Sequence, residues 1–203
     1  MRYRLIAFIS LFLILSCKEE IVYIPKPRLY PKVEYPKRIE TIFDTSFCSF
    51  SIRYPSYMKF VQDTTYLHKN APHPCWFNLE MPSLNGTIHF TYTDLNKSQN
   101  KADGLYKIYA DAYKMAEEHI SKANKLEDFI INNPNKKVYG VLFNIEGHVA
   151  SPFQIVITDS VNHALRASLY FNSKPNADSM APVIEFVKED LMGILNSLEW
   201  KKR

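Results

Sequence analysis

Glycine and cysteine are scarce in this chain, and neither sign of charge dominates. Five glycines among 203 residues argue against a glycine-rich loop that cradles phosphate, and no Walker sequence occurs. Three cysteines exclude a multi-cysteine zinc module, and there is no C-x-x-C. The formal net charge of +4, from 25 basic and 21 acidic residues, is too small for a nucleic-acid footprint without a basic stripe. G-x-S-x-G and H-E-x-x-H are both absent. What is present is ordinary for a globular protein: 46% hydrophobic, 14% aromatic and 23% charged residues. Wholesale disorder is thereby excluded.

The amino-terminal segment points to export. Arg2 and Arg4 precede an apolar run from Leu5 to Leu15 that is interrupted only by Ser10. A charged start followed by a short apolar stretch is the pattern of a secretory signal. Eleven residues are too few for a mature membrane helix, which needs about 20. The run closes on Ile14-Leu15-Ser16-Cys17, which resembles a bacterial lipobox with isoleucine in place of the usual leucine. That resemblance implies a signal peptide of residues 1–16 and a lipid-modified Cys17 as the new amino terminus. Several acyl chains hold a protein stably on a membrane where one does so only marginally. Lys18-Glu19-Glu20 looks like the lysine-plus-acids signal that exports some Bacteroidota lipoproteins to the cell surface. The periplasmic side is the default expectation.

Residues 17–45 read as a lipidated terminus followed by a proline-rich tether. Pro25, Pro27, Pro31 and Pro36 each fix φ and bias the preceding residue to extended geometry. A spacer of this kind rises about 3.1 Å per residue, so twenty residues reach roughly 60 Å. A second reading is a docking strip that displays basic groups with Tyr23, Tyr30 and Tyr35.

Residues 46–203 read as a single α+β domain. Phe47 to Tyr54, Cys75 to Met81 and Thr87 to Thr93 alternate with period two, the mark of strands with one buried face. Asn85-Gly86 signals a hairpin between the last two. Apolar residues from Leu105 through Ala123 and Leu126 to Ile130 recur at helical spacing, and Asn132-Asn133-Pro134 ends that helix. Strand patterns return at about Val138–Glu146, Phe153–Thr158 and Ala164–Phe171. A closing helix carries Val183 to Leu198, with Pro182 in its first turn. The connections are too short for parallel crossovers. The expected architecture is therefore a mainly antiparallel sheet of about six strands packed with two long helices.

Cys48 and Cys75 lie on the inward parity of successive strands in an exported protein, which predicts a disulfide. Two buried thiols are the alternative. His68, His73 and Cys75 form a loose cluster with too few ligands for a metal, so no metal and no cofactor are expected. His119 reads as a satisfied core histidine. Asp159, Ser160 and His163 read as a turn rather than a catalytic group. The linker Gly147-His148-Val149-Ala150-Ser151-Pro152 is weakly polar for a loop. It is either self-packed or a partner contact through His148, Val149 and Pro152. Trp76, on the outward parity of its strand, either lies under a helix or anchors a partner.

Several segments taken in order resemble the gliding-motility lipoprotein D (GldD) family of the Bacteroidota: Pro25-Lys26-Pro27-Arg28, Pro74-Cys75-Trp76-Phe77-Asn78, Asn85-Gly86-Thr87-Ile88-His89, Val149-Ala150-Ser151-Pro152, Thr158-Asp159-Ser160, Leu165-Arg166-Ala167-Ser168-Leu169-Tyr170-Phe171, Pro175-Asn176-Ala177-Asp178-Ser179 and Leu198-Glu199-Trp200-Lys201. Leu29, Ala164 and Ala167 depart from the pattern. The resemblance implies a non-catalytic, lipid-anchored envelope protein of the gliding and type IX secretion machinery. Its partners would be the membrane, through the lipid, and other envelope proteins of that machinery, with no nucleic acid and no small-molecule substrate. An envelope lipoprotein that binds a small ligand or glycan is the alternative. The element order also looks like that of PsbP-like α/β sandwiches.

Overall fold

The computed structural model describes residues 32–66 and 69–201. Its elements, in chain order, are strands β1 (Glu40–Asp44), β2 (Phe50–Pro55), β3 (Lys59–Gln62), β4 (Thr65–Tyr66), β5 (Lys69–Asn70), β6 (Phe77–Met81) and β7 (Gly86–Asp94), helix α1 (Lys101–Glu117), strands β8 (Ala123–Asn133), β9 (Val138–Gly147), β10 (Phe153–Thr158) and β11 (His163–Phe171), helix α2 (Ala177–Ser197) and strand β12 (Glu199–Trp200). The fold is α+β. A seven-stranded sheet runs β3-β6-β7-β11-β10-β9-β8, and every neighbouring pair in it is antiparallel.

The main core lies between one face of this sheet and a layer formed by α2 and a small sheet ordered β1-β2-β12. Period-two burial places Phe50 and Ile52 of β2, Phe77 and Leu79 of β6, Ile88 and Phe90 of β7 and Leu165 and Leu169 of β11 in that core. Val187, Leu191 and Ile194 enter it from α2. Burial of a large apolar side chain of this kind contributes about 1.5–3 kcal/mol. The segment 47–54, expected in the main sheet, thus supplies a strand of the opposing layer. On the other face α1 packs Ala112 and Ala116 against Val141, Phe143, Ile145 and Val156. It covers β9 and β10.

The structure corrects three expectations. The helix expected to run to Ile130 ends at Glu117, and the chain turns at Ile120–Lys122 and enters β8. The helical spacing of Ile120, Leu126 and Ile130 was misleading because these positions are not all buried: Ile120 is 57% and Ile130 83% exposed. Pairing with β9, in register from Lys125↔Glu146 to Asn133↔Val138 after an irregularity at Ala123–Lys125, decides the conformation instead. Gly147 makes the close approach possible. Its φ is +129°, and a Cβ there would meet the Lys122 carbonyl oxygen at 2.7 Å.

The closing helix starts at Ala177, earlier than expected, so Pro182 lies inside it rather than in its first turn. Asn176 caps it, accepting from the Ser179 N–H at 3.3 Å. Finally, part of the expected tether belongs to the folded unit. Val33 packs on the core, Tyr35 stacks on Phe186 with centroids 4.5 Å apart, and residues 40–44 form β1. Cys17 and residues 18–31 lie outside the described residues.

Candidate functional site

The cysteine corner comes first, because it fixes Trp76. Cys48 immediately precedes β2, and Cys75 closely precedes β6. They form a disulfide with Cα atoms 5.5 Å apart. The bridge therefore staples the small sheet to the large one. Both cysteines are buried. His73 accepts the Cys75 N–H on Nδ1 at 3.1 Å, which occupies one ring nitrogen of the loose metal cluster. His68 lies outside the described residues, and among those described no group of three candidate ligands is close enough to hold a metal. Trp76 is half-buried and donates its indole N–H to the Tyr92 carbonyl at 2.9 Å.

The linker at 147–152 folds on itself. Ile145 donates its N–H to the Pro152 carbonyl at 2.9 Å, closing the loop. Val149 is 6% exposed, and Ser151 and Pro152 are buried. His148 is exposed, but its Nδ1 accepts the Ala177 N–H at 3.3 Å, at the start of α2. The buried Val149 joins Ala112 and Ala116 of α1 in the cluster packed on β9 and β10, while His148 stays exposed.

Asp159 and His163 lie at one end of the main sheet, lining a cleft of about 680 Å3, with Ser160 in the turn between them. Lys136, Lys137 and Lys201, with Trp200, line its other side. The three residues form no catalytic relay. Asp159 Oδ1 accepts the N–H groups of Val161, Asn162 and His163 at 3.0, 2.7 and 2.8 Å. Burial opposes its ionisation, but those three donors prevail and hold its carboxyl below the usual range. The His163 ring is buried under Trp200, with Nδ1 2.6 Å from the Tyr92 hydroxyl. Ser160 is exposed with φ +66°, and its backbone N–H bonds to Thr158 Oγ1 at 2.9 Å. His119 is half-buried at the end of α1, where burial lowers its pKa.

Two arrangements escaped the sequence reading. The first is a latch. Arg38 Nε lies 2.6 Å from Asp190 Oδ1, its Nη2 lies 2.9 Å from Glu189 Oε2, and its guanidinium sits 4.1 Å above the Phe186 ring. Tyr57 donates its hydroxyl to the other Asp190 oxygen. Asp190 is 5% exposed. Burial pushes its carboxyl above the usual range despite Tyr57 and Arg38. Burial, together with that bond to a carboxylate, raises the Tyr57 phenol.

The second arrangement is a groove of about 320 Å3 where α1 stops covering the sheet. Its wall includes Trp76, Thr91 and Arg166 from the sheet and Ile108, Asp111 and Met115 from α1. Trp76 therefore lies at the edge of the helix-covered region. The sequence signals for this groove were the outward parity of Trp76 and a cation, Arg166, between Ala164 and Ser168 on β11.

Comparison with known proteins adds two findings. A family model described as gliding motility lipoprotein GldD matches residues 20–200. Among solved structures, the chain is similar to the solution structure of cyanobacterial PsbP (CyanoP) from Synechocystis sp. PCC 6803. The identity is 8%, the match covers 85% of this chain and 98% of that chain, and the TM-score is 0.48. No curated protein matches. No helix among the described residues is long and apolar enough to cross a membrane.

Proposed function

The chain belongs to the gliding motility lipoprotein GldD family, and from that membership we propose that it is a non-catalytic, lipid-anchored accessory protein of the gliding and type IX secretion machinery. The family match across residues 20–200 is the observation that carries this reading. Cys17, after loss of residues 1–16, is the acylated amino terminus, and residues 18–31 space the folded unit from the lipid on the periplasmic face of the envelope. The latch supports an anchoring role. Arg38 ties the segment nearest the tether to α2, so a load or a position imposed at the amino end is transmitted directly to the core. The domain then presents its surface to other envelope proteins of the machinery.

Deletion of the gene should abolish colony spreading and reduce type IX export, and Cys17→Ala should release the protein from the membrane fraction and abolish palmitate labelling. A deletion strain that glides and secretes normally would overturn the proposal.

A further inference from the structure

We propose that the groove between α1 and strands β7 and β11 binds a carboxylate-bearing ligand, with Arg166 as the anion-binding side chain, Thr91 as a second donor and Trp76 as the wall for the ligand's body. The strand register builds the site. Arg166 faces Thr91 across β11 and β7. Trp76 immediately precedes Phe77, which faces Phe90, so the indole flanks Thr91.

Arg166 is half-buried, a setting in which arginine is ordinarily paired with an acid. Among the described residues no carboxylate forms an ion pair with it. Its partners are neutral: the Met115 sulfur, and Gln154 Oε1 at 3.0 Å. Burial lowers its pKa, and the groups that oppose this, Tyr170, Asp111 and Glu118, act only through space. A guanidinium offers five N–H groups in a planar fork suited to a carboxylate, and two have partners here. The groove thus holds a half-buried cation with no carboxylate in direct contact among the described residues, Asp111 and Glu118 acting on it only from a distance.

The rest of the lining selects the class of anion. Arg166 is the one cation in the wall, and Asp111 stands at the rim. Arg166 can meet one carboxylate in its fork, whereas Asp111 in the same wall disfavours each added negative charge and so disfavours a doubly charged phosphate more. Pockets for small ligands span about 300–1,000 Å3, so a groove of about 320 Å3 suits a carboxylate the size of one or two amino acids. The ligand could be a free organic acid, a glutamate side chain or a chain end. The inference does not depend on the gliding assignment, and either can fail without the other. It departs from the expectation that the chain has no small-molecule ligand.

The test is NMR titration of the full chain in detergent, following the Trp76 indole N–H identified with Trp200→Phe. The probes are N-acetylphenylalanine, its amide, inorganic phosphate, and a peptide presented with a free end or with an amidated end and one internal glutamate. A saturable shift is expected with the acid and not with the amide. Arg166→Gln should weaken it by at least about tenfold, the loss of one charge-assisted hydrogen bond. Thr91→Val should weaken it as well and remains informative if Arg166→Gln does not fold. Preference for the free-ended or the glutamate peptide assigns the source of the carboxylate. Equal response to acid and amide, phosphate binding as tight as the acid, no saturable shift, or unchanged binding in the folded Arg166→Gln or Thr91→Val variant would each overturn the proposal.

Discussion

Replacing Arg38 with glutamine tests the latch between the amino-terminal segment and α2. The variant removes the cation that faces Asp190 at 2.6 Å and leaves a carboxylate that is 5% exposed with Tyr57 as its remaining strong donor. Removing one partner of a buried ion pair costs about 3–5 kcal/mol. The Arg38 side chain is itself 41% exposed, so solvent screens part of this and the lower end applies. The cation–π contact over Phe186 at 4.1 Å is lost too and is worth about 0.5–1 kcal/mol. We expect a loss of about 3 kcal/mol near neutral pH, or roughly 6–12 °C in Tm for a domain of this size.

The pH dependence has a definite sign. Burial raises the folded-state pKa of Asp190 above its unfolded value, so the folded state takes up a proton more readily. The ionised carboxylate is therefore a cost to the fold that is relieved as pH falls through the folded-state pKa. Once Asp190 is protonated it no longer needs Arg38. The difference between wild type and Arg38→Gln should accordingly shrink on acidification. Urea unfolding monitored by circular dichroism between pH 4 and pH 8 measures this. A loss under about 1 kcal/mol at neutral pH, or a difference that grows towards acid, would refute the reasoning.

Replacing Cys48 and Cys75 together with alanine opens a bridge spanning 27 residues and should cost about 3 kcal/mol by chain entropy, read from the same urea transitions against the oxidised parent. Asp159→Ala removes the acceptor of three N–H groups and should cost about 1–3 kcal/mol. Because the Asp159 pKa is lowered in the fold, its contribution is complete above its unfolded value and disappears as pH falls through the folded one, so the variant should lose least in acid. Ile130→Lys, at a position 83% exposed on β8, should change stability by less than about 0.5 kcal/mol, whereas a core position would lose several times more in the same assay.

Local chemistry determined a good part of this protein. Period-two alternation marked the strands around Phe47–Tyr54, Cys75–Met81 and Thr87–Thr93, because a strand with one wet face writes its burial directly into the sequence. The inward parity of Cys48 and Cys75 made their pairing legible for the same reason. The linker after β9 was legible only as a choice between self-packing and partner contact, and Val149 is buried by packing with α1, β9 and β10, which the sequence near it does not announce. The segment 120–130 misled because its apolar residues satisfy a helical period while lying on an edge strand, and only pairing with β9 across a hairpin could decide between the two. Arg38 and Asp190 are 152 residues apart in the chain, and nothing in the neighbourhood of either announces the other. Arg166 and Thr91 likewise come from two strands, and Trp76 from the approach to a third, whose adjacency is set by sheet order. Such groupings are properties of topology: one chain position fixes which way a side chain faces, and only the assembled layers fix what it meets.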